Sequence, residues 1–219
     1  MRGRLMVLGV VLLAAAGCVD RGPLVAFLGD SLTSGWKLER EEAYPALVAR
    51  ALRARGRPIR VLDAGVSGDT VARGLARLPA VLEHRPAVLV VALGINDGLR
   101  GLPLEETEAG LRRIVDEALS ADVHVLLVGV RIPPTRGAEH ARRFAEVHPR
   151  IAAEKHLGFV PDLLQGVSGE PELLFADQVH PNAAGQTRLA ANVLPHLELV
   201  LAELEAGRGG VARPAERKR

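Results

Sequence analysis

Ser31 stands in Gly29-Asp30-Ser31-Leu32, directly after the apolar run Leu24 to Leu28. A serine there sits at the carboxyl end of a buried strand, where open α/β sheets bind ligands, and its hydroxyl is a candidate nucleophile. By itself the same serine also reads as a helix N-cap or turn residue. Three further polar clusters change the balance. Gly65-Val-Ser-Gly-Asp69 follows a second apolar run, Gly94-Ile-Asn-Asp97 follows a third, and Asp177-Gln-Val-His180 precedes the last helical pattern. Singly, Asp177 with His180 reads as a surface pair and Asn96 as a turn residue. Together the four clusters fall at one edge of the expected sheet. There a hydroxyl, a backbone N–H donor, an amide, and a carboxylate with an imidazole can converge on one crevice, a set sufficient for acyl transfer.

The elements that must carry these groups alternate. Apolar runs predict strands over Leu24–Leu28, Ile59–Leu62, Pro86–Leu93, Val123–Val130 and Phe159–Val160, the third apolar on both faces as a central parallel strand must be. Helical spacing predicts helices over Glu41–Arg55, Asp69–His84, Glu105–Ser120, Ala138–His156 and Ala183–Leu204. Asp69 or Thr70 would cap the second helix, and Pro79 would break it or start a new first turn. This alternation predicts a parallel sheet covered by helices on both faces, joined by right-handed crossovers. With 219 residues, 48% of them hydrophobic, the chain buries one good core, and neither an internal repeat nor a second core is visible.

The ends follow a different logic. Arg2 and Arg4, an apolar run from Leu5 to Leu13 and then Ala14-Ala-Ala-Gly-Cys18 read as a secretory signal peptide over residues 1–17, too short before Asp20 and Arg21 for a spanning anchor. Cys18 is the only cysteine, which excludes an intramolecular disulfide and argues against a cysteine-ligated metal. Residues 207–219 are rich in Gly, Arg and Pro and read as a basic, disordered tail, leaving 18–206 as the folded domain. The pI of 9.1 invites a nucleic-acid reading. Arg2 and Arg4 contribute two charges and residues 207–219 a net four, so the formal +2 of the chain leaves its body near −4. That balance and an aromatic content of 3% exclude a basic, base-stacking groove.

The four blocks, in order, resemble those of the SGNH, or GDSL, hydrolases: Gly29-Asp-Ser-Leu32, Gly68 within Val-Ser-Gly-Asp, Gly94-x-Asn-Asp97 and Asp177-x-x-His180. Ala43-Tyr-Pro-Ala-Leu47, Ser67 to Pro79 and Asn96-Asp-Gly-Leu-Arg-Gly101 are similar to the periplasmic branch of arylesterases, acyl-CoA thioesterases and lysophospholipases. The resemblance covers about Pro23 to Leu204. It implies a three-layer α/β/α sandwich with a flavodoxin-like five-stranded parallel sheet. It also implies a serine esterase acting through an acyl-enzyme on small esters or thioesters, with no cofactor, no metal and no nucleic-acid partner. The residues implied are Ser31 as nucleophile, His180 as base and Asp177 as its orienter, with the Ser31 and Gly68 N–H groups and the Asn96 amide as oxyanion hole. Alternatives on the same fold are a carbohydrate O-deacetylase or an acyltransferase; a lipid-anchored binding module without catalysis is a third. Ala-Ala-Gly-Cys18 also resembles a bacterial lipobox, implying a lipidated Cys18 and a membrane-anchored periplasmic protein, although Ala15 departs from the usual Leu and leaves ordinary cleavage after Ala16 open.

Other residues read differently. Ser67 mimics a nucleophile elbow, but Gly-x-Ser-x-Gly would need glycine at position 69, where Asp stands. His84, His124, His140, His148, His156 and His196 lack metal-ligand spacing and read as structural or surface histidines. Asp30 and Asp97 read as acceptors bracing their loops. The loop from Arg131 to His140 leaves the same sheet edge as Ser31, so Arg131, Ile132 and Pro133 are expected to line an acyl groove, with Trp36 as a further contact.

Overall fold

The computed structural model describes residues 22–209, so the signal segment, Cys18 and the far end of the tail lie outside the described residues. Five parallel strands form one sheet: β1 (Leu24–Gly29), β2 (Arg60–Gly65), β3 (Val88–Ala92), β4 (His124–Val128) and β5 (Gly158–Val160), in the order β2-β1-β3-β4-β5. The helices are α1 (Ser31–Ser34), α2 (Tyr44–Ala54), α3 (Val71–Glu83), α4 (Ile95–Arg100), α5 (Leu104–Ser120), α6 (Ala138–Lys155) and α7 (Ala183–Gly209).

Strand alternation builds the layers. Val25 and Phe27 face Tyr44, Val48 and Leu52 of α2 and Val193 and Leu197 of α7, whereas Ala26 and Leu28 face Leu78 of α3 and Leu111 and Ile114 of α5. Phe27 meets the Tyr44 ring edge-on at 5.7 Å. Every residue of β3 is buried, and each such Val or Leu stabilises the fold by roughly 1.5–3 kcal/mol. The result is the expected α/β/α sandwich. The chain runs from β1 out to β2 and then crosses back to β3, so the strand order reverses beside β1. Ligand crevices open at such switch points, and this one lies between the carboxyl ends of β1 and β3.

The helices depart from the sequence pattern in four places. The first predicted helix is split: residues 40–42 form a 3₁₀ turn, Ala43 is extended, and α2 starts afresh with Pro45 in its first turn, where a missing N–H costs nothing. Thr70 caps α3 as anticipated, but Pro79 does not interrupt it. Pro79 itself is exposed, and buried Leu78 and Val81 beside it hold the helix to the sheet. The turns after β1 and β3 each become a short helix, α1 and α4. Finally, α7 continues to Gly209, beyond Leu204 where its apolar pattern ends. Among the described residues, no helix is long and apolar enough to cross a membrane.

Candidate active site

The turn after β1 is shaped by its own side chains. Asp30 Oδ1 accepts the Leu32 N–H over 2.9 Å and caps α1, which begins at Ser31. A Cβ on Gly29 would lie 2.0 Å from Thr33 Oγ1, so only glycine lets α1 fold back this closely on the strand. Gln186, fully buried in the first turns of α7, accepts the Tyr44 N–H over 2.8 Å and donates to the Leu32 carbonyl over 3.0 Å. One amide thus fastens the nucleophile turn to α2 and to the helix that follows His180.

Asp177 and His180 arrive on a single turn. Phe175 N–H donates to the His180 carbonyl over 2.8 Å, Leu174 bridges Pro181, and Gln178 between them takes a left-handed φ of 57°. Asp177 Oδ1 accepts the backbone N–H groups of Val179 and His180 at 2.9 and 3.0 Å, while Oδ2 lies 2.9 Å from His180 Nδ1. The His180 backbone N–H first, then that of Val179 and the imidazole, hold the Asp177 carboxyl down at about 2. An ionised carboxylate only accepts, so Nδ1 carries the imidazole proton and Nε2 is left as an acceptor. Ser31 Oγ–H donates to that Nε2 over 3.1 Å. The three side chains therefore form a continuous relay from hydroxyl to carboxylate, the geometry needed to activate an alcohol as a nucleophile.

Behind the relay stands an acidic, tightly braced floor. Gly68 adopts φ +79°, and a Cβ there would meet only Arg100 Nη2 at 3.6 Å, so the backbone conformation, not crowding within the chain, calls for glycine. The Arg100 guanidinium donates to the Gly68 carbonyl over 3.0 Å. Asn96, half-buried in α4, donates Nδ2–H to the Asp69 carbonyl over 3.0 Å and makes a longer 3.4 Å contact to Asp30 Oδ2. Asp97 accepts the Val71 N–H over 3.0 Å, tying α4 to the start of α3. Asp30 and Asp97 are thus loop braces, as the sequence suggested. Burial, with Asp69 and Asp97 nearby, pushes the Asp30 carboxyl up to about 7.

Ser67 is no competitor to Ser31, because its hydroxyl pairs with that of Ser34 at 3.3 Å. His148 is buried against Phe144 and bonds through Nε2 to the Leu93 carbonyl at 2.9 Å, a structural role beside Gly94. His140 Nε2 likewise lies 3.1 Å from the Gly98 carbonyl. Among the described residues, no group of three His, Cys, Asp or Glu side chains could hold a metal ion.

A groove of about 380 Å³ opens beside Gln178 and Val179 of the turn that carries His180. Arg131, Ile132 and Pro133 line it, as expected, together with Ile95, Leu99, Leu164, Leu174 and Val179. Arg131 lies 3.7 Å from Asp162 on its wall. Trp36 is not among the residues lining it; its ring lies against His180 instead. Sequence reasoning missed Ile95, Leu99, Leu164 and Leu174, which read only as generic apolar residues, and Val179, whose one available hint was its apolar character between Asp177 and His180. It also missed Arg77, whose guanidinium joins Asp69 Oδ2 at 2.8 Å to the Ala64 and Gly29 carbonyls at 3.0 and 3.3 Å, and so clamps the ends of β1 and β2 together. The Asp69/Arg77 spacing was visible on the helical pattern, but the two strand carbonyls it reaches were not.

Comparison with known proteins agrees with this fold. The family model described as "GDSL-like Lipase/Acylhydrolase family" matches residues 27–188. Esterase TesA of Pseudomonas aeruginosa is 39% identical over 175 residues, spanning 80% of this chain and 87% of the relative. Thioesterase 1/protease 1/lysophospholipase L1 of Escherichia coli K12 is 36% identical over 164 residues, 74% of this chain and 77% of that protein. A crystal structure of TesA superposes with a TM-score of 0.78 at 38% identity, covering 81% of this chain and 99% of the other.

Proposed function

Because the chain belongs to the GDSL-like lipase/acylhydrolase family, we propose that it is a serine esterase whose nucleophile, base and orienting acid are Ser31, His180 and Asp177. The observation that carries this assignment is the relay from Ser31 Oγ to His180 Nε2 at 3.1 Å and from Nδ1 to Asp177 at 2.9 Å. Ser31 Oγ attacks the carbonyl carbon of the ester as its proton passes to Nε2. The tetrahedral intermediate collapses, the C–O bond to the leaving group breaks, and the alcohol takes the proton from Nε2. Water then attacks the acyl-enzyme, giving its proton to Nε2, and the Ser31–acyl bond breaks as Oγ recovers that proton and the acid leaves. The oxyanion is met by the Ser31 and Gly68 N–H groups and by Asn96. One Asn96 N–H is committed to the Asp69 carbonyl, while the 3.4 Å contact to Asp30 is weak enough to release the other. Hydrolysis of p-nitrophenyl esters, abolished by a serine-directed organophosphonate that labels Ser31, tests the assignment. A purified, folded protein that neither turns over the esters nor takes the label would be a binding module instead.

The substrates are carboxylic esters or thioesters with an acyl chain, because the groove beside the turn that carries His180 is walled by Ile95, Leu99, Ile132, Leu164, Leu174 and Val179. That lining favours an alkyl chain over an O-acetylated sugar. Each buried methylene contributes up to about 0.8 kcal/mol, so loss of a two-carbon contact changes kcat/KM by roughly 10-fold. Ile132→Ala is therefore expected to shift the preferred chain length while sparing acetyl ester turnover, measured over a p-nitrophenyl ester series. Uniform slowing of all chain lengths would move the acyl site elsewhere.

The protein is exported and held at a membrane through Cys18. What supports this is the order of Arg2 and Arg4, the apolar run and Ala-Ala-Gly-Cys18. In a Gram-negative host the native chain should fractionate with membranes, and Cys18→Ala should appear as soluble periplasmic protein or remain unprocessed. Equal solubility of the two would leave plain secretion.

A further inference from the structure

The turn bearing Asp177 and His180 has a shape fixed by its own hydrogen bonds, but those bonds do not set its distance from Ser31. Asp177, Gln178 and Val179 are exposed, and the turn contains no regular element. The imidazole could swing about its bond to Asp177 unless something holds its face. Trp36 supplies that face. Its ring stacks on His180 with centroids 4.1 Å apart and planes inclined by 29°, and its edge meets Phe175 at 5.9 Å and 82°. One indole therefore touches the turn at both of its closing residues. Trp36 is itself tied to the nucleophile, since its backbone N–H donates to the Ser31 carbonyl over 3.2 Å.

We propose that Trp36 is a positioning residue for the reaction: its indole face holds the His180 ring so that Nε2 meets Ser31 Oγ, and it stabilises the imidazolium formed when the serine proton is taken. The inference rests on His180 acting as the base. An aromatic face attracts a cation more strongly than a neutral ring, so the contact strengthens as the tetrahedral intermediate forms, which is when it can accelerate the reaction. The charged groups around this stack are Asp177, on the Nδ1 side, and Lys37, whose Nζ lies 4.1 Å from the indole centroid. Lys37 competes for the same electron density, and its exposure leaves it hydrated.

Trp36 is the only tryptophan in the chain, so its emission reports this contact directly. In the native protein, fluorescence should fall as the imidazole is protonated on the acid side, and His180→Gln should remove that step. Trp36→Ala should lower kcat for p-nitrophenyl acetate roughly 10- to 100-fold, with KM little changed and the acyl chain-length ranking preserved, and Trp36→Phe should recover most of the loss. Phosphonate labelling of Ser31 should slow in parallel. An altered chain-length ranking or a raised KM with kcat intact would make Trp36 a substrate contact and overturn the proposal. A pH step in fluorescence that survives His180→Gln would also overturn it, as would Trp36→Phe performing no better than Trp36→Ala. Failure of the native protein to take the phosphonate would instead strike the esterase assignment, while the fluorescence experiment, which needs no turnover, would still report on the stack.

Discussion

Ser31→Ala and His180→Ala each lower kcat by on the order of 10⁴ or more, and the double variant is no worse than either alone. Both losses remove the same event, transfer of the Ser31 proton to Nε2 during attack, so they do not add. The Ser31 side chain has little structural duty, because α1 is capped by Asp30 and fastened by Gln186 through the Leu32 carbonyl. Ser31→Ala should therefore retain the native melting temperature and circular dichroism, and the lost rate can be assigned to chemistry. The measurement is steady-state p-nitrophenyl acetate hydrolysis alongside thermal unfolding. Ser31→Ala activity within tenfold of native would remove Ser31 as nucleophile.

Asp177→Asn should cost nearly as much, roughly 10³ to 10⁴ in kcat, for a different reason. Its Oδ1 can still accept the Val179 and His180 N–H groups, so the turn keeps its shape. The amide nitrogen now faces Nδ1 and donates, which drives the imidazole proton onto Nε2, where it blocks acceptance from Ser31 Oγ. The pH behaviour separates the residues further. The native Asp177 carboxyl is held at about 2, below its usual 3.8, so its contribution to the turn is complete above pH 3.8 and is lost only as pH falls towards 2. An acid limb in kcat/KM above that window does not come from Asp177. An Asp177→Asn enzyme of native rate would show that the carboxylate orients nothing needed for turnover.

The strands were legible because parallel, doubly buried segments leave continuous apolar runs, as in Val88–Ala92, and the site was legible because its polar groups interrupt those runs at matching ends. Four residues, or six, cannot establish a 3.6-residue period, which is why α1 and α4 read as loops. Pro79 misled because a proline penalises a helix in isolation, whereas here burial of Leu78 and Val81 holds α3 against the sheet. The long-range pairings were invisible for a plainer reason. Trp36 and His180, or Gln186 and Leu32, are joined only by the winding of the whole chain, and no local pattern encodes which distant side chain a ring will stack on.

The two halves of the relay lie at different depths of the structure. Ser31 follows a strand with neighbours on both sides, with Gly29 in register with Gly65 and Ala92, so moving it requires the sheet to come apart. His180 rides on an exposed turn held by few buried contacts, and such segments open locally at free energies well below global unfolding. The nucleophile is thus built into the most persistent part of the molecule and its base into one of the most easily released. Warming the protein would then uncouple the pair and silence the hydroxyl while the sandwich around it is still whole.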